Sequence, residues 1–450
     1  MSRARIHLIA PASILNKGDA AIYIGAINLI TKYLPKCDLS ISIEGYGESS
    51  GISRMFDSGN LILCKGLLQG IKNSFIRESD MAEFGGKSSP STRFLSRLPF
   101  LRFLYGPLAL AQINKCLKLE SEPFNSISES DGAVILGHNL EDSTLPMYLF
   151  NYAVPKLLFN KKTIIFPMSI SALQNGEGLS SVIHESHARF ILKQMDYIVL
   201  REKFSFDFLK QKLHVNNTVL AADTAFFLHK ENCQETLDAL YDQGIEIKKP
   251  ALAVCVRGEG YFQNYGKYIH VSYSSFIRHL AKILDDLISK LDIDVYFVPM
   301  TIYPHINFDR YDHAGALLVF KEMRHKSKAH IINTWDMTPS EIASLIEHMD
   351  FVLTMRMHQA IMAAIVGVPS ALILPAEDNK ALGIMKSLGL DDYFIDLGLP
   401  PTQIYRNISE KVLEGFNNRP VLKRIMDSKL PLIKKKVAVA AKILALEIEQ

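Results

Sequence analysis

The stretch TPSEIASLIEHMDFVLTMRMHQAIMAAIVGVPSALIL, residues 338–374, decides the fold class. It opens on a Thr-x-x-Glu capping box formed by Thr338 and Glu341, with a proline between them at the first helical position, so a helix is predicted here. The apolar run 351–355 predicts a strand, and a second helix leads to the strand 371–374. Helices that alternate with short apolar strands are typical of a parallel sheet covered by helices.

The same alternation continues outward from this stretch in both directions. Further strands are predicted at 6–9, 39–43, 132–136, 163–166, 197–200, 219–222, 251–256, 293–298 and 329–333. The sequence therefore predicts an α/β fold with two doubly wound halves. In such sheets ligands bind outside the carboxyl ends of the strands, which places the expected site in a cleft between the halves.

The polar segment 229–249 is rich in Glu, Asp and Lys and predicts a linker between two domains. We therefore expect an N-terminal Rossmann-like domain over 1–230 and a C-terminal one over 250–405. The remainder, 406–450, is expected to form helices. Residues 78–97 are polar and contain Gly, Ser and Pro, which predicts a mobile insertion in the first domain.

Composition excludes several classes of protein. The 450 residues carry 50 Lys and Arg against 47 Asp and Glu, a net charge of +3, which argues against a nucleic-acid partner. The five cysteines are far apart and form no CxxC pair, which fits the cytoplasm and argues against a cysteine zinc site. No apolar stretch is long enough to cross a membrane. The apolar, basic stretch 98–118 is expected to be a core helix; the alternative is a surface helix in peripheral contact with the inner membrane face.

Arg356 and His358 are the strongest candidates for chemistry, because they follow the strand 351–355 and precede a helix. Arginine donates in a planar fork that fits carboxylate and phosphate groups. The helix N-terminus adds backbone N–H donors. Histidine titrates near neutral pH and can serve as an acid or a base. The structural alternative is an arginine that caps a neighbouring element and a histidine bonded in the core.

Other strand ends carry weaker candidates. The loop with Asn16, Gly18 and Asp19 precedes a helix and can approach a ligand closely, although Asp19 could simply be the helix N-cap. It lacks the P-loop spacing. Arg201 ends another strand, and its structural alternative is an ion pair with a nearby carboxylate. Asp223 follows the strand 219–222 next to the predicted linker, and a structural role is preferred to a role in ligand binding.

The loop with Glu377 and Lys380 follows a strand of the second half and can hold a sugar or a phosphate, with a solvated turn as the alternative. A cluster of potential metal ligands occurs between residues 305 and 313, but a metal site is not favoured, because its members lack ligand spacing and Asp312 is expected to cap a helix. These members are His305, Asp309, Asp312 and His313. A nucleophile elbow and a Gly-x-Gly-x-x-Gly loop are both absent, so neither a serine hydrolase nor a dinucleotide cofactor is predicted.

Seven short motifs follow one another in order along residues 5–390. They are Asn16-x-Gly18-Asp19, Leu136-Gly137, Phe166-Pro167-x-Ser169-Ile170, Leu200-Arg201-Glu202 with Ser205, Asp223 with Phe226, Arg356-x-His358, and Gly367-x-Pro369 with Lys380. In this ordered set the chain resembles the polysaccharide pyruvyl transferases. The chain departs from the family pattern at His138, Met168 and Ser171, where members often have Gly or Gln.

The resemblance implies a fold similar to the GT-B glycosyltransferases, with two Rossmann-like domains facing across a cleft. It implies phosphoenolpyruvate as co-substrate, no further cofactor or metal, and a glycan or lipid-linked sugar as acceptor. Arg356 would bind the donor and His358 would be the catalytic acid or base. The expected substrate-binding residues are Arg201, Asn16, Gly18, Asp19, Ser169, His138, Lys380 and Glu377.

Two alternatives stay open at this point. One is a glycosyltransferase of the same fold class that uses a nucleotide sugar, with the Glu377–Lys380 loop against the nucleotide. The other is a non-catalytic glycan-binding protein, which the presence of both Arg356 and His358 disfavours.

Overall fold

The computed structural model describes residues 3–43, 61–65, 122–140, 145–170, 179–231, 233–302 and 311–448. The predicted insertion at 78–97, the stretch 98–118, the departure from the family pattern at Ser171, and the weighed metal ligands His305 and Asp309 lie outside these residues.

The first sheet is parallel and has the strand order β3-β2-β1-β4-β6-β7-β8, with β5 paired to β6. Its strands are β1 (Ala4–Ala10), β2 (Cys37–Ile43), β3 (Leu61–Lys65), β4 (Gly132–Ile135), β5 (Asn139–Leu140), β6 (Lys162–Ile170), β7 (Tyr197–Leu200) and β8 (Thr218–Leu220). The strand order reverses direction beside β1, which is the doubly wound arrangement.

The second sheet repeats this arrangement with the order β11-β10-β9-β12-β13-β14, again parallel in every pair. Its strands are β9 (Ala251–Cys255), β10 (Asp294–Phe297), β11 (Ala329–Ile331), β12 (Phe351–Thr354), β13 (Ser370–Leu374) and β14 (Phe394–Asp396). Because β9 and β12 are central neighbours, the residues that follow them, Arg257 and Arg356, emerge side by side at the carboxyl edge.

Helices cover both sheets, and we number them over the described residues. They are α1 (Lys17–Tyr33), α2 (Glu122–Glu129), α3 (Leu145–Ala153), α4 (Leu179–Gln194), α5 (Lys203–Asp207), α6 (Cys233–Tyr241), α7 (Glu259–Asn264), α8 (Tyr273–Leu291), α9 (Asp312–Glu322), α10 (Pro339–Glu347), α11 (Met357–Ile365), α12 (Asn379–Leu388), α13 (Pro401–Asn417) and α14 (Arg419–Ile448). The prediction of two doubly wound α/β halves is confirmed.

Local chemistry explains where two of these helices begin. At α10 the Thr338 hydroxyl accepts from the Glu341 N–H while the Glu341 carboxylate accepts from the Thr338 N–H, so the predicted capping box is present. At α1 the alternative of Asp19 as N-cap is wrong. Asn16 is the N-cap, and its side chain accepts from the Gly18 N–H, which starts the helix about one turn earlier.

The two halves are connected by more than the polar linker predicted at 229–249. The segment predicted as a linker contains α6, which packs on α10 of the second half. The last helix, α14, returns to the first half, where the Lys162 ammonium donates to the Glu447 carbonyl at 2.6 Å. The domain boundaries given above therefore remain a prediction. No helix of the described residues is long and apolar enough to cross a membrane.

Candidate active site

A cavity of about 250 Å³ opens between the carboxyl edges of the two sheets. Four cationic side chains reach it: Arg201 from the first half, and Arg257, Arg356 and Lys380 from the second. Asp19, Asp378 and His358 also line it. On this wall four cations face two carboxylates, although Asp223 and Asp312 pair with Arg201 and Arg356 behind it. The lining favours an anionic ligand.

Arg356 is held by a two-pronged contact with Asp312. Its Nε donates to both carboxylate oxygens at 3.0 and 3.1 Å, and one terminal amino group donates to Oδ1 at 2.7 Å. Burial opposes the charge on Arg356, but Asp312 keeps its pKa above the ordinary value. The Arg356 side chain is 17% exposed. The Asp312 carboxylate holds one edge of its guanidinium group, and the side chain lines the cavity.

Asp312 does more than hold this arginine. Its Oδ2 also accepts from the backbone N–H groups of Met300 and Thr301, at 3.0 and 3.1 Å. The prediction that Asp312 caps a helix is therefore wrong: α9 begins after Tyr311, and the buried Asp312 carboxylate is turned to the loop instead. That loop joins the two halves, because the Met300 carbonyl accepts from the Lys17 N–H at 2.9 Å.

His358 lies in the first turn of α11 and faces Asp223 of the other half. Its Nε2 is 3.5 Å from Asp223 Oδ2, an ion-pair distance that is too long for a well-formed hydrogen bond. Among the described residues no other group bonds this buried nitrogen. Asp223 Oδ2 also accepts from an Arg201 amino group at 2.7 Å, and both side chains of that pair are almost wholly buried.

Asp223 is ionised at any ordinary pH. Burial by itself opposes the charge, but Arg201, and then His358, hold the pKa of the carboxyl well below its usual range. The carboxylate also accepts from the Ala225 N–H at 2.9 Å, which fixes its position. A fixed anion therefore lies beside His358, on the side away from Gly18. The structural role expected for Asp223 covers its ion pair with Arg201 but not its position next to His358.

Gly18 faces the other edge of the His358 ring. A Cβ at this position would lie 2.6 Å from His358 Nδ1, closer than real carbon contacts allow, and a tight 3.1 Å from Cγ. Glycine therefore lets the first half approach the Nδ1 edge of the ring closely.

We expect Gly18→Ala to keep the fold, to displace the His358 ring by about 1 Å and to lower turnover by about 100-fold, the usual effect of such a displacement at an active site. Steady-state kinetics beside thermal unfolding would measure it. The matched control is Gly383→Ala within α12, where the nearest atom to the new Cβ is 3.8 Å away and turnover should be unchanged. If Gly18→Ala kept full activity, the close contact between Gly18 and the His358 ring would have no part in turnover.

His138 lines the cavity, but both ring nitrogens are already engaged. Nδ1 donates to the Leu136 carbonyl at 3.1 Å, so Nε2 is the acceptor for the Tyr152 hydroxyl at 2.5 Å. Burial lowers the pKa of His138 to about 4, partly offset by the Leu136 carbonyl. The imidazole is therefore neutral, and it offers the cavity a ring edge beside Tyr148, whose ring centroid lies 4.1 Å away.

The structure brings together most of the residues proposed from the sequence. Those that line the cavity are Asn16, Gly18, Asp19, His138, Arg201, Arg356, His358 and Lys380. Ser169 lies behind this wall, where its hydroxyl accepts from Arg201 Nε at 2.6 Å. Glu377 is exposed and lies outside the lining.

Arg257 was missed. Its guanidinium lies 4.0 Å from the centre of the Tyr261 ring, and its Nε donates to the Met355 carbonyl at 2.9 Å. It directly follows the predicted strand 251–256, so the reasoning that singled out Arg356 would have found it. In the described part of the chain no group of three or more His, Cys, Asp or Glu residues could hold a metal ion.

The family model of polysaccharide pyruvyl transferases matches residues 16–376, which is most of the chain. The chain belongs to this family. The match spans Asn16, Arg201, Asp223, Arg356 and His358, so most of the cavity of this pyruvyl transferase family member is built within the matched region. Asp378 and Lys380 lie just beyond it. A search of curated protein sequences finds no significant match.

Solved structures show the same architecture at very low identity. The chain is similar to UDP-GlcNAc 2-epimerase of Neisseria meningitidis bound to UDP-GlcNAc, with a TM-score of 0.54, 8% identity and 99% of each chain covered. A putative UDP-N-acetylglucosamine 2-epimerase from Listeria monocytogenes gives 0.53 at 12% identity, covering 97% of this chain and 94% of the other. HepE of Anabaena in complex with UDP gives 0.52 at 10% identity, with 99% of each chain covered. These likenesses show a GT-B-like fold.

Proposed function

We propose that this protein transfers a pyruvyl group from phosphoenolpyruvate to a sugar of a cell-surface polysaccharide or its lipid-linked precursor. The product is a ketal that bridges two sugar hydroxyls. The observation that carries the proposal is the convergence of Arg201, Arg257, Arg356 and Lys380 beside His358 in one cavity. Phosphoenolpyruvate has a carboxylate and a phosphate close together, which suits several cations in a small space.

The first step is addition of a sugar hydroxyl across the carbon–carbon double bond of the enol phosphate. His358 gives a proton to the methylene carbon, and C2 gains oxocarbenium character. The hydroxyl oxygen then bonds to C2, and the imidazole takes the proton that this hydroxyl loses. Because Nε2 faces Asp223, the nitrogen that exchanges protons with substrate is Nδ1, on the side of Gly18. Asp223 compensates the charge of the imidazolium, as the aspartate does in a serine protease triad.

The second step closes the ketal. A second hydroxyl oxygen bonds to C2 while the bond from C2 to the phosphate oxygen breaks. The hydroxyl proton leaves with inorganic phosphate, so phosphoenolpyruvate and two hydroxyls give one ketal and one phosphate. Arg356 and Arg257 stabilise the departing phosphate by charge. This chemistry needs no cofactor besides the co-substrate.

A thermal-shift titration with phosphoenolpyruvate, beside UDP and GDP, tests the donor. At about 100 times its dissociation constant, a ligand that binds only the folded state stabilises it by about 2.7 kcal/mol. We expect this shift with phosphoenolpyruvate in the wild type and its loss in Arg356→Ala. Arg278→Ala, which removes an exposed arginine of α8 outside the lining, should keep it.

Because Arg356→Ala leaves Asp312 without its cation, its own melting temperature is expected to fall; the shift caused by ligand is therefore the quantity to compare. A shift with UDP or GDP and none with phosphoenolpyruvate would refute the proposed donor in favour of a nucleotide-sugar glycosyltransferase. The absence of a thermal shift with all three ligands would also count against phosphoenolpyruvate as the donor.

A further inference from the structure

The final helix, α14, carries a concentration of positive charge unlike the rest of the chain. Its 30 residues hold eight Lys and Arg against two Asp and Glu, a net charge of +6, whereas the whole chain has +3. The other 420 residues together are therefore net negative. At about 1.5 Å per residue the helix is about 45 Å long.

The outer face of α14 combines this charge with exposed apolar side chains. Val421, Leu432 and Leu446 are 46%, 54% and 61% exposed. At 3.6 residues per turn they fall within about 40° of one another around the helix axis, so they form a single apolar row. The opposite face is buried against both halves of the molecule through residues such as Met426 and Val437.

Five exposed cations flank this apolar row on its two sides. By helical spacing, one side carries Arg424, Lys435 and Lys442, and the other carries Lys429 and Lys436. The ion pairs that α14 makes with described residues involve Arg419, Lys423 and Glu447 instead. The flanking cations are therefore available to an external anion.

We propose that this face of α14 docks on an anionic membrane surface, with the cations on lipid headgroups and the apolar row at the headgroup and acyl boundary. A helix that lies in the interface plane has this combination of a basic rim and apolar side chains. Nucleic acid would engage the cations but leave Val421, Leu432 and Leu446 against phosphates. A second copy would bring two faces of the same charge together, which opposes association.

Co-sedimentation with vesicles tests the proposal. The wild type should bind vesicles of phosphatidylcholine mixed with phosphatidylglycerol, weakly bind phosphatidylcholine alone, and lose binding as salt rises. Since each basic residue near such a surface contributes measurably, Lys435→Glu with Lys436→Glu should reduce partitioning about tenfold or more. Lys282→Glu with Lys290→Glu, on the exposed side of α8, makes the same charge change and should bind as the wild type does.

A second double variant separates membrane docking from simple charge attraction. Leu432→Ser with Leu446→Ser keeps every charge, and it should weaken binding at a salt concentration where the wild type still sediments. Wild-type protein that stays in the supernatant with anionic vesicles would overturn the proposal. An equal loss of vesicle binding in the α8 control would also overturn it, and so would unchanged binding in Leu432→Ser with Leu446→Ser. A lower molecular mass of the α14 variants in solution would show that this face is a contact between copies instead. The variants lie outside the cavity, so the phosphoenolpyruvate shift should persist and the two proposals fail separately.

Discussion

His358→Asn should lower the rate of phosphate release by about 10² to 10⁴-fold, the usual contribution of a positioned general acid or base. Asparagine fits the space between Gly18 and Asp223 and can still form hydrogen bonds, but it does not exchange a proton with carbon or oxygen. The four cations of the cavity are untouched. The stabilisation by phosphoenolpyruvate should therefore remain, and the loss should appear in kcat.

The measurement is phosphate release with the glycan-lipid fraction of producing cells as acceptor, beside the thermal-shift titration. His325→Asn is the matched control, because His325 is exposed in the second half and lies outside the cavity. Normal turnover in His358→Asn would remove the histidine from the chemistry and leave the cavity as a binding site alone.

The elements of the fold were readable from the sequence because the signals are local. The apolar run of β12, the capping box of α10 and the breaks between them each depend on a few neighbouring residues. The same locality explains Arg356 and His358, since the end of a parallel strand faces the ligand edge whatever lies elsewhere in the chain. Arg257 satisfied this rule as well, at the end of the strand next to β12.

What local patterns did not reveal is the pairing across the molecule. Asp312 was expected to serve its own helix, yet its carboxylate binds Arg356, 44 positions along the chain. Asp223 was taken as structural because its neighbours suggested a linker, yet it meets His358 from the other half at 3.5 Å. A carboxylate buried by tertiary packing takes whichever cation packing brings to it, and spacing in the sequence does not encode that choice.

Asp223→Asn should destabilise the protein by about 3–5 kcal/mol, because it leaves the buried Arg201 cation without its anion. The sign of the pH dependence follows from the lowered pKa of Asp223 in the folded state. The contribution of this carboxylate is fully present above its unfolded value of about 3.9. It is lost as the pH falls from there towards the folded value. The melting temperatures of wild type and variant should therefore differ most near neutral pH and converge in acid.

Asp292→Asn, at an exposed carboxylate that pairs with Lys328, is the control and should change the melting temperature little. The structural role of Asp223 and its proposed role beside His358 separate in the double variant Arg201→Met with Asp223→Asn. Removal of both charges takes away the unpaired cation, so much of the stability should return. Turnover should stay low, because His358 then lacks the anion that compensates its charge. If turnover returned together with stability, Asp223 would act only by neutralising Arg201, and the pairing with His358 would have no part in proton transfer.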